Sequence, residues 1–267
     1  PLTRPRFVTT VHGLYGVNRY SGIMTRGEAV IAVSDTVRDY ILTHYPDTLP
    51  WRISVIHRGV DGAQYPYGWQ PDDAWQAAFF AQFPAARGRQ IVTLPGRITR
   101  LKGHEDFIEL VARLKRRGLP VHGLIVGGAS ASKQRYLQKL RYRVRSAGLE
   151  SDISFTGQRD DMKSILAVSS LVLSLSTQPE SFGRTTLEAL RLGIPTAGYA
   201  HGGVAEILRR VYPAGLLPFG DIDESCRRAG QLLTQPPAVP DGDFFPLRAM
   251  LDQTLALYEQ IARAPRC

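Results

Sequence analysis

Short runs of β-branched and apolar residues alternate along this chain with longer stretches in which apolar residues return every three or four positions. The short runs predict strands and the longer ones predict amphipathic helices. On that pattern strands are expected at residues 7–11, 30–33, 53–56, 91–94, 123–126, 153–155, 171–175 and 196–199. The helical stretches carry matching start signals: Ser34-Asp35 stands ahead of Val37, Tyr40 and Ile41, and Asp72-Asp73 ahead of Trp75, Phe79 and Phe80. A strand-then-helix rhythm demands crossover connections, so a parallel sheet of the α/β class follows.

The rhythm breaks twice. Residues 59–71 are rich in Gly, Pro and Tyr with no apolar period, and 61–71 reads as a linker. Ahead of it, residues 1–60 hold three strands, few for a sheet that stands alone. Behind it, 72–245 holds at least five and reads as a second Rossmann-like domain. A punctuated stretch at 235–246 then leads to a C-terminal segment, 246–267, whose helix is expected from Leu247 to Arg263 in a position the pattern does not fix.

Composition narrows the partners. Lysine and arginine outnumber aspartate and glutamate to give a formal charge of +9, which favours an anionic partner: a diphosphate, acidic lipid headgroups or nucleic acid. No helix-turn-helix, RNA-binding sheet motif or zinc spacing is present, so nucleic acid is set aside. Apolar runs fall far short of the roughly 20 residues a bilayer-spanning helix needs. Two cysteines, Cys226 and Cys267, give neither a disulfide framework nor a metal-ligand spacing, which fits a reducing cytoplasm. The basic stretch 133–145, with Leu137, Leu140 and Val144 on one face, reads as an amphipathic surface helix, and contact with a membrane surface is its second reading.

Two strand-to-helix corners carry candidate chemistry. The first is Pro95-Gly96-Arg97-Ile98-Thr99-Arg100-Leu101-Lys102-Gly103-His104, where a strand end, a glycine turn and a helix start favour an anion, and Arg97 and Lys102 add full charges suited to a diphosphate. The second is Gln178-Pro179-Glu180-Ser181-Phe182-Gly183-Arg184-Thr185-Thr186-Leu187-Glu188. There the amides of Arg184, Thr185 and Thr186 form a first helical turn with no partners of its own, and Gly183 lets the chain approach a ligand closely. Glu180 and Glu188 frame that turn, too far apart for one ligand atom but suited to two hydroxylated ends, a hexose and a ribose with phosphates between them. The plainer alternatives are a capping acid at Glu180 and a surface helix residue at Glu188. His12 closes the first strand ahead of Gly13, where it faces a crevice or serves the structure; His57 has no assigned role, and His201 stands before Gly202-Gly203 as a ligand contact or a helix cap.

Together these residues resemble the GT-B glycosyltransferases, specifically the large retaining family 4, from about His12 to the final helix. The strongest match is the E-x7-E pattern from Glu180 to Glu188. Gly96-Arg97 with Lys102-Gly103, then Phe155-Thr156-Gly157-Gln158-Arg159, then Gly202-Gly203-Val204-Ala205-Glu206-Ile207 follow the family's order. The resemblance implies that Arg97 and Lys102 bind the donor diphosphate, Glu180 the donor sugar and Glu188 the ribose. It implies that the loop of Gly157 and Arg159 meets the base, while Phe182, Gly183, Arg184, Thr185 and Thr186 line the site and His12 touches the sugar from the first domain. It also implies a hexosyltransferase that retains configuration, uses a UDP or GDP sugar as donor, and needs no cofactor and no metal. Acceptors are expected to be glycans or lipid-linked and lipopolysaccharide sugars, placing the enzyme in the cytoplasm or peripherally on the inner membrane face. Family members begin with a glycine-rich loop and further strand-helix units that this chain, starting at Pro1, lacks, so truncation at the front is expected. The alternatives are a non-catalytic nucleotide-binding remnant and a nucleotide-sugar epimerase of the same architecture.

Overall fold

The computed structural model describes residues 5–264. All eight expected strands form, with ends within two residues of those expected, and they divide between two parallel sheets. The first sheet contains β1 (Val8–Val11), β2 (Ala29–Ala32) and β3 (Ile53–Val55) in that spatial order. Only the middle strand is buried along its whole length. Helix α1 (Asp35–His44) crosses between β2 and β3 and lays Val37 and Ile41 on Val11, Val30, Ala32 and Val33. Its start is set by the Ser34 hydroxyl, which accepts the Val37 amide at 3.1 Å, as the sequence signal requires.

The second sheet has six strands: β4 (Gln90–Pro95), β5 (Val121–Val126), β6 (Ile153–Gly157), β7 (Leu171–Ser174), β8 (Thr196–Tyr199) and β9 (Leu216–Leu217). Their spatial order is β6-β5-β4-β7-β8-β9. β9 escapes the sequence pattern because two residues carry no period. The chain builds outward from β4 to one edge, crosses back, and builds outward from β7 to the other, so β4 and β7 are neighbours from which the connections diverge. A crevice opens at the carboxyl ends of such a pair.

Helices cover both faces. On one, α3 (His104–Arg116) points Phe107, Leu110, Val111 and Leu114 into the main core, joined by α4 (Gln134–Ser146), α7 (Gly202–Val211) and α8 (Ile222–Thr234). On the other, α2 (Asp73–Gln82), capped by the Asp72 carboxylate on the Trp75 amide at 2.7 Å, brings Phe79 against Ile91, Leu124 and Ile165 of α5 (Met162–Ala167). Helix α6 (Arg184–Arg191) begins at the end of the β7 loop and packs Ala189 with Leu166 and Val172. In α4 it is Tyr136, Leu140 and Val144 that turn inward, with Leu137 only partly buried.

Residues 61–71 form turns with neither helix nor strand, and Tyr65 and Trp69 pack back onto the α6 side of the large sheet. Helix α9 (Leu247–Arg263) starts beside the beginning of this connection: Val60 donates to the Phe245 carbonyl at 3.0 Å, and Leu247 donates to the Val60 carbonyl at 3.1 Å. No residue of α9 is buried. Among the described residues no helix is long and apolar enough to cross a membrane. Cys226 is buried in α8, and Cys267 lies outside the described residues.

Candidate functional site

The loop that leaves β4 reaches α3 through a tight turn at Arg100–Lys102 and then Gly103, whose φ of 69° is the left-handed region that favours glycine. A Cβ at Gly103 would overlap the carbonyl oxygen of Leu175 just beyond β7, so this loop lies directly on the one that follows β7. The Thr177 amide fastens the two by donating to the Leu101 carbonyl at 2.8 Å. As a result the Lys102 ammonium stands 2.7 Å from a Glu180 carboxylate oxygen, with both side chains part-exposed. The Ser176 hydroxyl donates to the same oxygen, while its carbonyl meets the His201 Nε2 at 2.7 Å.

Helix α6 opens beside this pair. Its first residue follows Gly183 at φ 100°, no side chain caps it, and no acid occupies its first turn, so the amides of Arg184, Thr185 and Thr186 keep their positive partial charge for an outside partner. A cleft of about 80 Å³ results, lined by Pro95, Gly96, Lys102, Glu180, Gly183, Arg184, Thr185 and Thr186 at the end of β7. It holds two cation sources and one carboxylate where the strand connections diverge. A roomier hollow of about 330 Å³ at the far end of α3 is lined by Glu109, Arg113, Arg116, Arg117 and Asp223, where Arg113 pairs with both acids. Arg116 pairs with Glu109 as well, and the hollow lies away from the point where the strand connections diverge.

The remaining expected residues take other positions. Arg97 adjoins Gly96, is exposed, and forms no ion pair among the described residues, so its charge is available. Glu188 does not line the cleft. It is 7% exposed, burial pushes its carboxyl upward, and Arg184 at 2.8 Å together with the Tyr65 hydroxyl partly offsets that push. Gly157 ends β6, its carbonyl accepting the Gly127 amide at 2.9 Å. The Arg159 guanidinium is occupied by both Asp161 oxygens, at 2.8 and 2.6 Å, and by Gln82 at 2.8 Å. Asp161, held below its usual range chiefly by Arg159, also accepts the Trp75 indole N–H at 2.8 Å, so this cluster braces the loop against α2. Phe182 is 3% exposed and its ring meets those of His57 and Phe245, at the junction with the small sheet and not in the cleft.

His12 stands at the end of β1 with its Nδ1 2.7 Å from a terminal nitrogen of Arg58. A guanidinium can only donate, so Nδ1 accepts and the ring proton sits on Nε2. Burial and then the Arg58 charge lower its pKa from the ordinary value, which keeps the ring neutral at pH 7 with an N–H to offer. Arg58, Ser176 and Tyr65 also touch the candidate residues, although none belongs to the motifs. Ser176 carries a signal, since it follows a strand end four residues before Glu180. Tyr65 carries none, because nothing in a turn-rich connection marks which residue folds back.

Residues 76–243 match the family of glycosyl transferases group 1, and residues 2–64 match glycosyltransferase family 4. A 2-deoxystreptamine N-acetyl-D-glucosaminyltransferase from Streptomyces fradiae is 33% identical over 149 residues, 55% of this chain and 34% of that protein. Among solved structures, a glycosyltransferase from Rickettsia africae ESF-5 superposes with a TM-score of 0.82 at 20% identity, covering 97% of this chain and 71% of the other. Anabaena Alr3699/HepE in complex with UDP-glucose does so with 0.79 at 22%, covering 95% and 72%. The chain spans between 34% and 45% of the length of the first curated relatives it matches. The two parallel sheets are those of the GT-B fold, and with more than half its residues matched the chain belongs to the glycosyl transferases group 1 family.

Proposed function

We propose that this chain is the donor-binding part of a glycosyltransferase that moves a hexose from a nucleotide sugar to a glycan or lipid-linked acceptor, with retention of configuration and without a metal ion. The observation that carries the reading is the meeting of Lys102, Glu180 and the uncapped start of α6 in one cleft where the connections of β4 and β7 diverge. Lys102, the free Arg97 and the α6 amides meet the charge that grows on a departing diphosphate, the electrostatic service a divalent cation gives elsewhere. Glu180 accepts hydrogen bonds from donor sugar hydroxyls, and the Nε2–H of His12 donates one. Glu188 takes the ribose by exchanging its Tyr65 partner for a hydroxyl. The Gly157 loop meets the base, with Arg159 acting through its brace on Asp161.

The Anabaena neighbour was solved with UDP-glucose, which makes UDP the first probe and GDP the second. Isothermal titration of the full chain in EDTA is expected to show UDP binding that Lys102→Ala weakens by about tenfold, the value of one charge-assisted contact. A folded chain that binds neither nucleotide, or binds UDP equally well after the substitution, removes the reading. A lipid-linked acceptor would place the protein at the cytoplasmic membrane face, in keeping with the exposed Arg135, Arg141 and Arg145 of α4. Equal sedimentation with anionic and neutral vesicles would count against that location. The span of under half the curated relatives favours one further reading, a part that binds nucleotide but transfers nothing alone. Sugar transfer by this chain in isolation eliminates it.

A further inference from the structure

The motif of residues 202–207 lines no part of the cleft, yet it joins the two sheets. Gly202 and Gly203 begin α7 hard against the loop that carries Glu180. A Cβ at Gly202 would stand 2.7 Å from the Glu180 nitrogen, a Cβ at Gly203 would overlap the Phe182 backbone, and the Gly203 amide donates to the Glu180 carbonyl at 2.8 Å. One turn later, about 5 Å along the axis, Glu206 reaches the other sheet. Its carboxylate accepts the Asp35 amide at 3.0 Å, the Thr36 amide at 2.6 Å and the Thr36 hydroxyl.

A helix start is ordinarily satisfied by its own residues or by water. Here Ser34 supplies one cap and a different helix, 170 residues further along, supplies two more. His57 adds its Nε2 at 3.6 Å from Glu206, and its neighbour Arg58 holds His12. A continuous set of contacts therefore runs from His12 through Arg58, His57, Glu206 and Gly203 to the Glu180 loop.

We propose that Glu206 is a positioning residue, which fixes the small sheet and His12 in one alignment with the loop bearing Glu180. The proposal rests on the donor reading for the purpose of that alignment, though not for the contact itself. Asp35, His57 and Glu206 lie within 4.8 Å of one another and would also suit a metal ion by composition. The chemistry opposes it: the Glu206 oxygens already serve amides at the positive end of α1, where a second cation is repelled.

Hydrogen exchange on the full chain tests the contact without any nucleotide. In Glu206→Ala, and to a smaller degree in the isosteric Glu206→Gln, amides 35 and 36 are expected to exchange at least about tenfold faster while α7 and β4 to β8 keep their wild-type protection. Titration then separates the two readings: UDP affinity should stay within about threefold of wild type, while affinity for UDP-glucose, whose sugar His12 is proposed to touch, falls about tenfold; equal affinity of wild type and variant for UDP-glucose overturns the alignment role. Unchanged exchange at 35 and 36 overturns the proposal, and so does a joint loss of protection throughout α7 in both variants, which would make Glu206 a part of that helix's own stability. Stabilisation of wild type by zinc that Glu206→Ala abolishes overturns it in favour of a metal site. If wild type binds no UDP, the donor reading fails while the exchange result still decides the contact.

Discussion

The two sheets are built from the same strand-helix unit, yet they hold themselves together differently. The six-stranded sheet has helices on both faces and encloses aromatic and aliphatic side chains such as Phe79, Phe107, Leu110 and Ile165 with almost no exposure. The three-stranded sheet encloses a cluster of six buried apolar residues around one central strand and leaves Phe7, Tyr15, Tyr20, Ile23 and Trp51 facing outward. The larger unit contains the whole cleft and its own supporting core. The smaller, which carries the proposed sugar contact His12, relies on its neighbour even to complete the first turn of α1. Burial therefore concentrates around the cleft, while the small sheet meets the larger unit through the Glu206 hydrogen bonds and the packing of His57 on Phe182 and Phe245.

Acid should separate the two most strongly. His104 and His122 are fully buried in the large unit, and burial pushes each down to about 4. Their folded values lie below the unfolded value near 6.5, so the stabilisation is whole above that pH and is lost as pH falls from 6.5 through 4. It amounts to on the order of 3 kcal/mol for each histidine. For Glu206, burial raises the pKa, but hydrogen bonds from His57, the Thr36 hydroxyl and the two α1 amides outweigh it and hold the group at about 2. That contribution is present above about 4.5 and is lost only as pH falls toward 2. Hydrogen exchange followed against pH is expected to show β4 to β8 losing protection first on acidification, before the α1 amides lose their Glu206 partner. The opposite order breaks the comparison.

A smaller effect sharpens it from the other side. Trp51 is 77% exposed at the turn before β3, so Trp51→Ser should change the urea midpoint of unfolding by less than the equivalent of about 0.5 kcal/mol. A loss of several times that would mean the outer face of the small sheet is covered in solution.

Much of this was legible in the residues. Strand runs are long enough in eight of nine cases to impose their period, and the helix starts at Ser34 and Asp72 use side chains that only caps require. Both corners of the cleft were visible because glycine and charge cluster where a strand turns into a helix, and Lys102 does meet Glu180 across the gap. What escaped depends on distance along the chain. Nothing near Glu188 announces that Tyr65, more than a hundred residues earlier, will fold over it, and a solvent-facing reading was equally consistent with its helix spacing. Arg159 and Phe182 sit in recognisable motifs, but whether such a side chain points into a cleft or braces the loop behind it is decided by α2 and Phe245, which the motif does not contain.

On the proposed donor reading, the contact between Lys102 and Glu180 makes admission to the cleft an exchange of partners. A small inorganic anion that draws the ammonium away strands a half-covered carboxylate, and a neutral polyol that draws the carboxylate away leaves the ammonium uncompensated. A molecule that joins a negative group to a hydroxylated one satisfies both at once, so the pair favours such a conjugate over either half of it alone.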